Sequence, residues 1–204
     1  MQPKLSILIP SIPSRFDKMF NLYNRLLVEC KELPIEILCL VDNKIRSIGE
    51  KRNDLVQLAK GEYLTILDDD DSFFEGYAAE ILKAIESNAD VITFNQKCTL
   101  DGESFFVNFS LYNECNEPAK FDNEGNYLNI KRLPFHCCVW KSGIAKSETF
   151  ASVSYGEDWH WCKRLIQKCE TECHIDKVLH HYIYNSQTTQ ASTESNEVWA
   201  NPND

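Results

Sequence analysis

No stretch of this 204-residue chain stays apolar for the length of a membrane span. The opening, one lysine followed by a short apolar run, does not read as a signal peptide. No two cysteines form a C-x-x-C pair, which removes zinc ribbons and thioredoxin-type redox motifs. Basic residues are outnumbered: 21 Lys and Arg stand against 31 Asp and Glu, a formal net charge of -10. That balance argues against wrapping nucleic acid through a basic surface, so a nucleic-acid partner is not expected. It leaves open an enzyme acting at a nucleic-acid end. Internal repeats are also missing.

What is present is ordinary for a globular protein. The chain is 43% hydrophobic and 25% charged, and its length suits one large domain or one domain with an appendage. Nine cysteines are many. Cys39, Cys162 and Cys169 fall on apolar positions, where a free thiol acts as a small hydrophobe. The expectation is reduced thiols in an intracellular, cytoplasmic setting. Cys169, Cys173 and His174 are close in sequence, but their spacing matches no standard zinc site.

Apolar periodicity gives the organisation. Leu5–Ile9 reads as a buried strand ended by Pro10, and two prolines stiffen the Ser11–Arg15 loop. Met19, Phe20, Tyr23, Leu26, Leu27 and Cys30 share one helical face. Ile35–Val41 is a second strand that closes on Asp42. A helix from about Glu50 to Lys60 is expected to stop at Gly61. Tyr63–Leu67 is a third strand, and a helix carrying Phe74, Tyr77, Ala78, Ile81, Leu82 and Ile85 follows. Asp90–Phe94 is a fourth strand. Strands separated by helices imply right-handed crossovers and a largely parallel sheet. Residues 96–130 read as hairpins with turns at Asp101-Gly102 and Glu124-Gly125. One more helix opens near Glu157, and His180–Tyr184 is a last strand. The expected division is one domain over 1–184, in halves 1–95 and 96–184. A polar tail or linker over 185–204 follows, anchored only by Trp199, and membership in a longer multidomain protein is an open expectation.

Four consecutive aspartates, Asp68 to Asp71, follow the third strand. Like charges at a strand end repel and raise one another's pKa values unless a cation meets them. A hard divalent ion suits carboxylate oxygens and also grips phosphate. The carboxyl ends of strands are where open α/β sheets bind ligands. A solvated turn, with Asp71 or Ser72 capping the next helix, is the competing reading.

The order strand–Pro10-Ser11, strand–Asp42, Arg52-Asn53, Gly61-Glu-Tyr-Leu-Thr-Ile-Leu-Asp-Asp-Asp-Asp71 and Gly156-Glu-Asp-Trp resembles the family 2 glycosyltransferases of the GT-A fold. The likeness runs over about residues 4–185 and is loose over 96–150. It implies an α/β fold: a Rossmann-like, mixed, mostly parallel sheet flanked by helices, with a smaller irregular β region on the acceptor side. It implies a nucleotide-sugar donor, UDP-sugar first, and a hydroxyl acceptor on a glycan, glycoprotein or other molecule. Mn2+ or Mg2+ is the implied cofactor. Pro10, Ser11, Ile12 and Arg15 would line the nucleotide pocket, Asp42 would accept from the base, and Arg52 would approach ribose or diphosphate. Asp69 would contact ribose. Asp68 and Asp70 would bind metal, completed by a histidine of the last strand. Neighbours on a strand face opposite ways, so only one of His180 and His181 can turn in, and His181 is preferred.

The Glu157-Asp158 pair carries its own argument. Asp158 shares the helical stripe of Trp161, Cys162, Leu165 and Ile166, which turns it inward. A helix N-terminus favours its ionised form, so it is the candidate general base, with Glu157 beside it. A first-turn or cap acid is the competing role. Trp159 is a candidate for stacking on sugar, while Trp161 belongs to the core. His136 is a further candidate on the acceptor side. A nucleotidyltransferase of similar fold would carry a Gly-rich basic loop after the first strand, which Ser11–Arg15 does not provide. A non-catalytic nucleotide- or sugar-binding module is the other alternative.

Overall fold

The computed structural model describes residues 2–186. The expected tail lies outside the described residues from position 187 onward, Trp199 included. Along the chain the elements are β1 (Leu5–Ser11), a 3-10 turn at Pro13–Arg15, α1 (Phe16–Glu29), β2 (Ile35–Val41), α2 (Ile48–Leu58), β3 (Tyr63–Ile66), β4 (Ser72–Phe73), α3 (Tyr77–Ile85), β5 (Val91–Leu100) and β6 (Glu103–Phe109). Then follow β7 (Lys120–Phe121), β8 (Tyr127–Leu128), β9 (Ile130–Arg132), β10 (Val139–Lys141), α4 (Ser142–Ala145), α5 (Glu157–Ile166) and β11 (Glu172–Tyr184).

One mixed sheet organises the fold, in the order β2-β1-β3-β10-β5-β11-β4, with β6 and β9 extending from β5. The β2-β1-β3 half is parallel, as the alternation of strands and helices implies. β10 enters antiparallel between β3 and β5. β5 runs unbroken past residue 95, so the expected halves share one sheet. β5 and β6 form a hairpin. Its turn residues Asp101 and Gly102 both have positive φ, the type I′ geometry that matches strand twist.

Two cores cover the two faces of the sheet. One packs α1 and α3 with Leu5, Ile7, Ile9, Tyr63 and Phe94. The other gathers Leu8, Leu64, Ile66, Trp140, Trp161 and Leu165 with Cys98, Cys137, Cys138 and Cys162. All nine cysteines are free thiols; of the three read as lying on apolar positions, Cys162 is buried, Cys169 is half-buried and Cys39 is exposed on the edge strand β2. No helix among the described residues is long and apolar enough to cross a membrane.

Several expectations shift in detail. On α1 the buried face is Met19, Leu22 and Leu26, while Phe20 and Leu27 are exposed. α2 begins earlier, at a capping box between Ser47 and Glu50. It ends at Leu58, and Gly61 serves a different need: a Cβ there would lie 2.6 Å from the Ser6 amide nitrogen. The glycine lets the chain pass close against β1. The acidic run does not cap a helix. It leads into the short strand β4, which pairs with β11, and α3 starts later behind Gly76 in the left-handed region. Phe74 therefore lies outside the helix. The last strand is longer than its apolar end suggested, beginning at Glu172, because bulges near Ile175 to His180 carry it past Asp176 and Lys177.

Candidate active site

The carboxyl ends of β1 and β3 place the loop after Ser11 beside the acidic run. α2 brings its first turns to the same place. Its N-terminus is pressed so tightly on the 151–153 segment that a Cβ at Gly49 would meet the Ala151 carbonyl oxygen at 1.9 Å. That close approach aligns α2 with the start of α5, and two groups of charged residues result.

The inner group centres on Arg52, only 2% exposed. Its guanidinium donates to Glu157 and, at 2.8 Å, to Asp68, and it lies 3.7 Å from Asp158. His136, also buried, stands between two of these acids, each ring nitrogen 3.5 Å from a carboxylate oxygen of Asp68 or Asp158. Those separations are too long for hydrogen bonds, and neither ring nitrogen has a hydrogen-bond partner among the described residues. Burial raises the Asp68 pKa, but Arg52 and His136 outweigh it and hold the carboxyl well below its usual range. Asp158 is lowered by the same neighbours against the same burial. Burial works against the His136 cation, yet Asp68 and Asp158 raise its pKa to about 10. Glu157 goes the other way: burial raises it despite Arg52.

The outer group is chained through Arg15 and Lys51. Arg15 donates to Asp69 at 2.8 Å and to Asp70 at 2.7 Å. Ser11 Oγ donates to Asp69 at 2.6 Å. Lys51 Nζ donates to the Ser11 carbonyl at 3.0 Å and to Asp42 at 2.9 Å. The lysine bond lowers the Asp42 pKa. Burial raises Asp69 despite Ser11 and Arg15. Asp70 is pushed up to about 6, mainly by burial, with Arg15 opposing and the neighbouring aspartates adding to the rise.

The structure therefore gathers Ser11, Arg15, Asp42, Asp68, Asp69, Asp70, His136, Glu157 and Asp158 into one region, with Pro10 buried and Ile12 half-buried at its edge. Arg52 is built into its floor and is not open to a ligand, unlike the ribose or diphosphate contact expected of it. On α5 the buried acid is Glu157, four residues before Trp161, while the Asp158 side chain, expected to turn inward, is 24% exposed. Trp159 is half-buried against the second core, and Trp161 is core, stacked on Phe150.

His181 stands apart: its Nε2 meets Thr99 Oγ1 at 2.8 Å and its ring stacks on Phe74. His180 is the one that meets the acidic run. Gln96 donates to its Nδ1 at 2.8 Å, leaving Nε2 3.2 Å from Asp71. The expected trio Asp68, Asp70 and His181 is thus not assembled. Among the described residues no group of three or more His, Cys, Asp or Glu is arranged to hold a metal. The donor chemistry of Asp68 and Asp70 nevertheless suits a hard divalent cation.

Lys51 escaped the sequence reading because a helical lysine is normally solvated. The signal was present: Lys51 and Arg52 precede Leu55 by four and three residues and so share its buried stripe.

The sheet order, with a carboxylate run at the end of a central strand, belongs to the GT-A class of glycosyltransferase folds. Residues 25–147, more than half of the chain, match the family model described as Glycosyl transferase family 2. The chain belongs to that family. Among solved structures it is similar to S. aureus TarS 1-349 in complex with UDP-GlcNAc, with TM-score 0.64 and 14% identity over 92% of this chain and 62% of that one. The complex of TarS 1-349 with UDP gives TM-score 0.64 and 16% identity over 89% of this chain and 61% of that one. Likeness at this identity concerns the fold, and this chain spans less than two thirds of TarS 1-349. A comparison with curated protein sequences finds no match.

Proposed function

We propose that the protein transfers a sugar from a nucleotide-sugar donor, UDP-sugar first, to an acceptor hydroxyl. The observation that carries this reading is the contrast in the charged region: Asp158 is held ionised by Arg52 and His136 yet is open on one side. Family membership and the UDP and UDP-GlcNAc complexes of TarS support the choice of donor.

In this reading Asp158 takes the proton of the acceptor hydroxyl as general base. The hydroxyl oxygen forms a bond to the anomeric carbon. The bond from that carbon to the phosphate oxygen breaks, and its electron pair leaves with the nucleoside diphosphate. Attack from the face opposite the diphosphate gives inversion. Arg52 and His136 keep Asp158 charged and oriented, and Glu157 anchors Arg52. Ser11, Asp42 and Lys51 line the nucleotide side, with Arg15 within reach of the diphosphate. Mn2+ or Mg2+, held by Asp68 and Asp70, would supply neutralisation of the departing diphosphate.

Thermal stability with UDP, with and without Mn2+, tests the donor side, since a ligand that binds only the folded state raises the melting temperature. A rise that needs both, with turnover of a UDP-sugar measured as UDP release, is the expected result. No rise with any nucleoside diphosphate would leave a non-catalytic module. A rise confined to nucleoside triphosphates would point to a nucleotidyltransferase.

A further inference from the structure

The sheet carries a second polar feature outside the charged region. The inward residues of β5 and β6, among them Phe94, Cys98, Phe105, Val107 and Phe109, are buried. The opposite face carries a cross-strand row: Asn95 on β5 is registered with Asn108 on β6, and Asn108 with Lys131 on β9. With Phe106 and Asn129 these residues line a groove of about 290 Å³. An open face of an antiparallel sheet is normally polar, but asparagine is depleted in strands. Two asparagines side by side in β5 and β6, a third beside β9 and a phenyl ring left 42% exposed are a poor choice for a face that only meets water.

The amides are held in place. Asn108 Nδ2 donates to Asn95 Oδ1 at 2.8 Å, Asn95 Nδ2 donates to Asp176 at 3.1 Å, and the Phe106 backbone amide donates to Asn129 Oδ1 at 2.9 Å. Asn108 Oδ1 and Asn129 Nδ2 are left with no side-chain or backbone partner among the described residues. One fixed acceptor and one fixed donor beside an exposed aromatic ring match the chemistry of a saccharide, whose hydroxyls bond to planar amides while its C–H face lies on a ring. β9 then leads through Leu133-Pro134-Phe135 to His136 in the charged region.

We propose that this groove binds a neutral saccharide and holds a part of the acceptor glycan away from its reacting hydroxyl. The word acceptor rests on the transferase reading; saccharide binding itself does not.

Backbone NMR titration of the full chain tests it. The probes are neutral tetrasaccharides of glucose, galactose, mannose or N-acetylglucosamine, added without donor up to millimolar concentration. The expected result is saturable perturbation at Asn95, Phe106, Asn108 and Asn129 by at least one of them. Phe106→Ala should weaken it by about tenfold, the value of one aromatic contact. Asn108→Asp, which keeps the side-chain shape and guards against a folding artefact, should weaken it in the same direction. No perturbation at these residues by any probe, or binding undiminished in both variants, overturns the proposal. Nucleoside diphosphates are titrated with Mg2+ into the same samples: saccharide binding without binding of any nucleoside diphosphate supports the groove and counts against the transferase reading.

Discussion

The two ends of the acidic run are built differently. Asp68, its side chain 27% exposed, is met by both Arg52 and His136, so it stays ionised within the protein's own charge balance. Asp70, two residues on, has Arg15 as its cation, but burial, with the three neighbouring aspartates adding to it, pushes its pKa up to about 6. The inner end is a finished network that positions Asp158. At the outer end Asp69 and Asp70 share one cation, Arg15. A site that must receive a charged ligand has reason to leave one end incomplete, because a fully neutralised run would gain little from a cation.

The largest expected effect comes from breaking the inner end. Arg52→Met leaves Asp68, Glu157 and Asp158 without their shared cation in a buried place, and losing one partner of such a cluster costs about 3–5 kcal/mol. Chemical denaturation should show that loss, and an unchanged midpoint would mean that the acids are solvated. Next comes Asp158→Asn. Transfer should fall by on the order of 10²–10⁴ while UDP binding and melting temperature change little; retained turnover would place the base elsewhere.

The outer end should answer with the opposite sign. Because the folded-state pKa of Asp70 lies above its unfolded value, the folded protein binds that proton more tightly. Its charge therefore costs stability at pH 7.5, and the cost is relieved as pH falls through about 6. Asp70→Asn should stabilise the metal-free protein at pH 7.5, with the gain shrinking toward pH 4. Urea midpoints at both pH values give the comparison, and destabilisation at pH 7.5 would mean that Arg15 outweighs burial. The smallest effect belongs to a pair outside both ends. Lys177→Ala removes the exposed contact to Glu80 and should leave the urea midpoint unchanged, since exposed ion pairs contribute little.

The parallel half of the fold was legible because apolar runs bounded by Pro10, Asp42 and Gly61 read as strands, although β2, at the sheet edge, is only partly covered. α5 was legible from Trp161, Cys162 and Leu165. β4 was not, since two residues carry no period, and its existence depends on pairing with β11. The length of β11 was hidden by Asp176 and Lys177 at its bulges. In the charged region the residue types were visible and their neighbours were not. That Glu157 anchors Arg52, that Lys51 ties Asp42 to Ser11, and that His180 and not His181 meets Asp71 are all consequences of which chain segments lie side by side. Local spacing reports a face of a helix or strand; it does not report what the sheet order brings against it.

The most direct test is paramagnetic broadening of backbone NMR signals by Mn2+ in the presence of UDP. Broadening centred on Ser11 and on Asp68 to Asp71, and abolished by Asp70→Ala, is the predicted result. Broadening centred elsewhere, or none at these residues, would contradict the assignment of this end of the acidic run as the place where donor and cation meet.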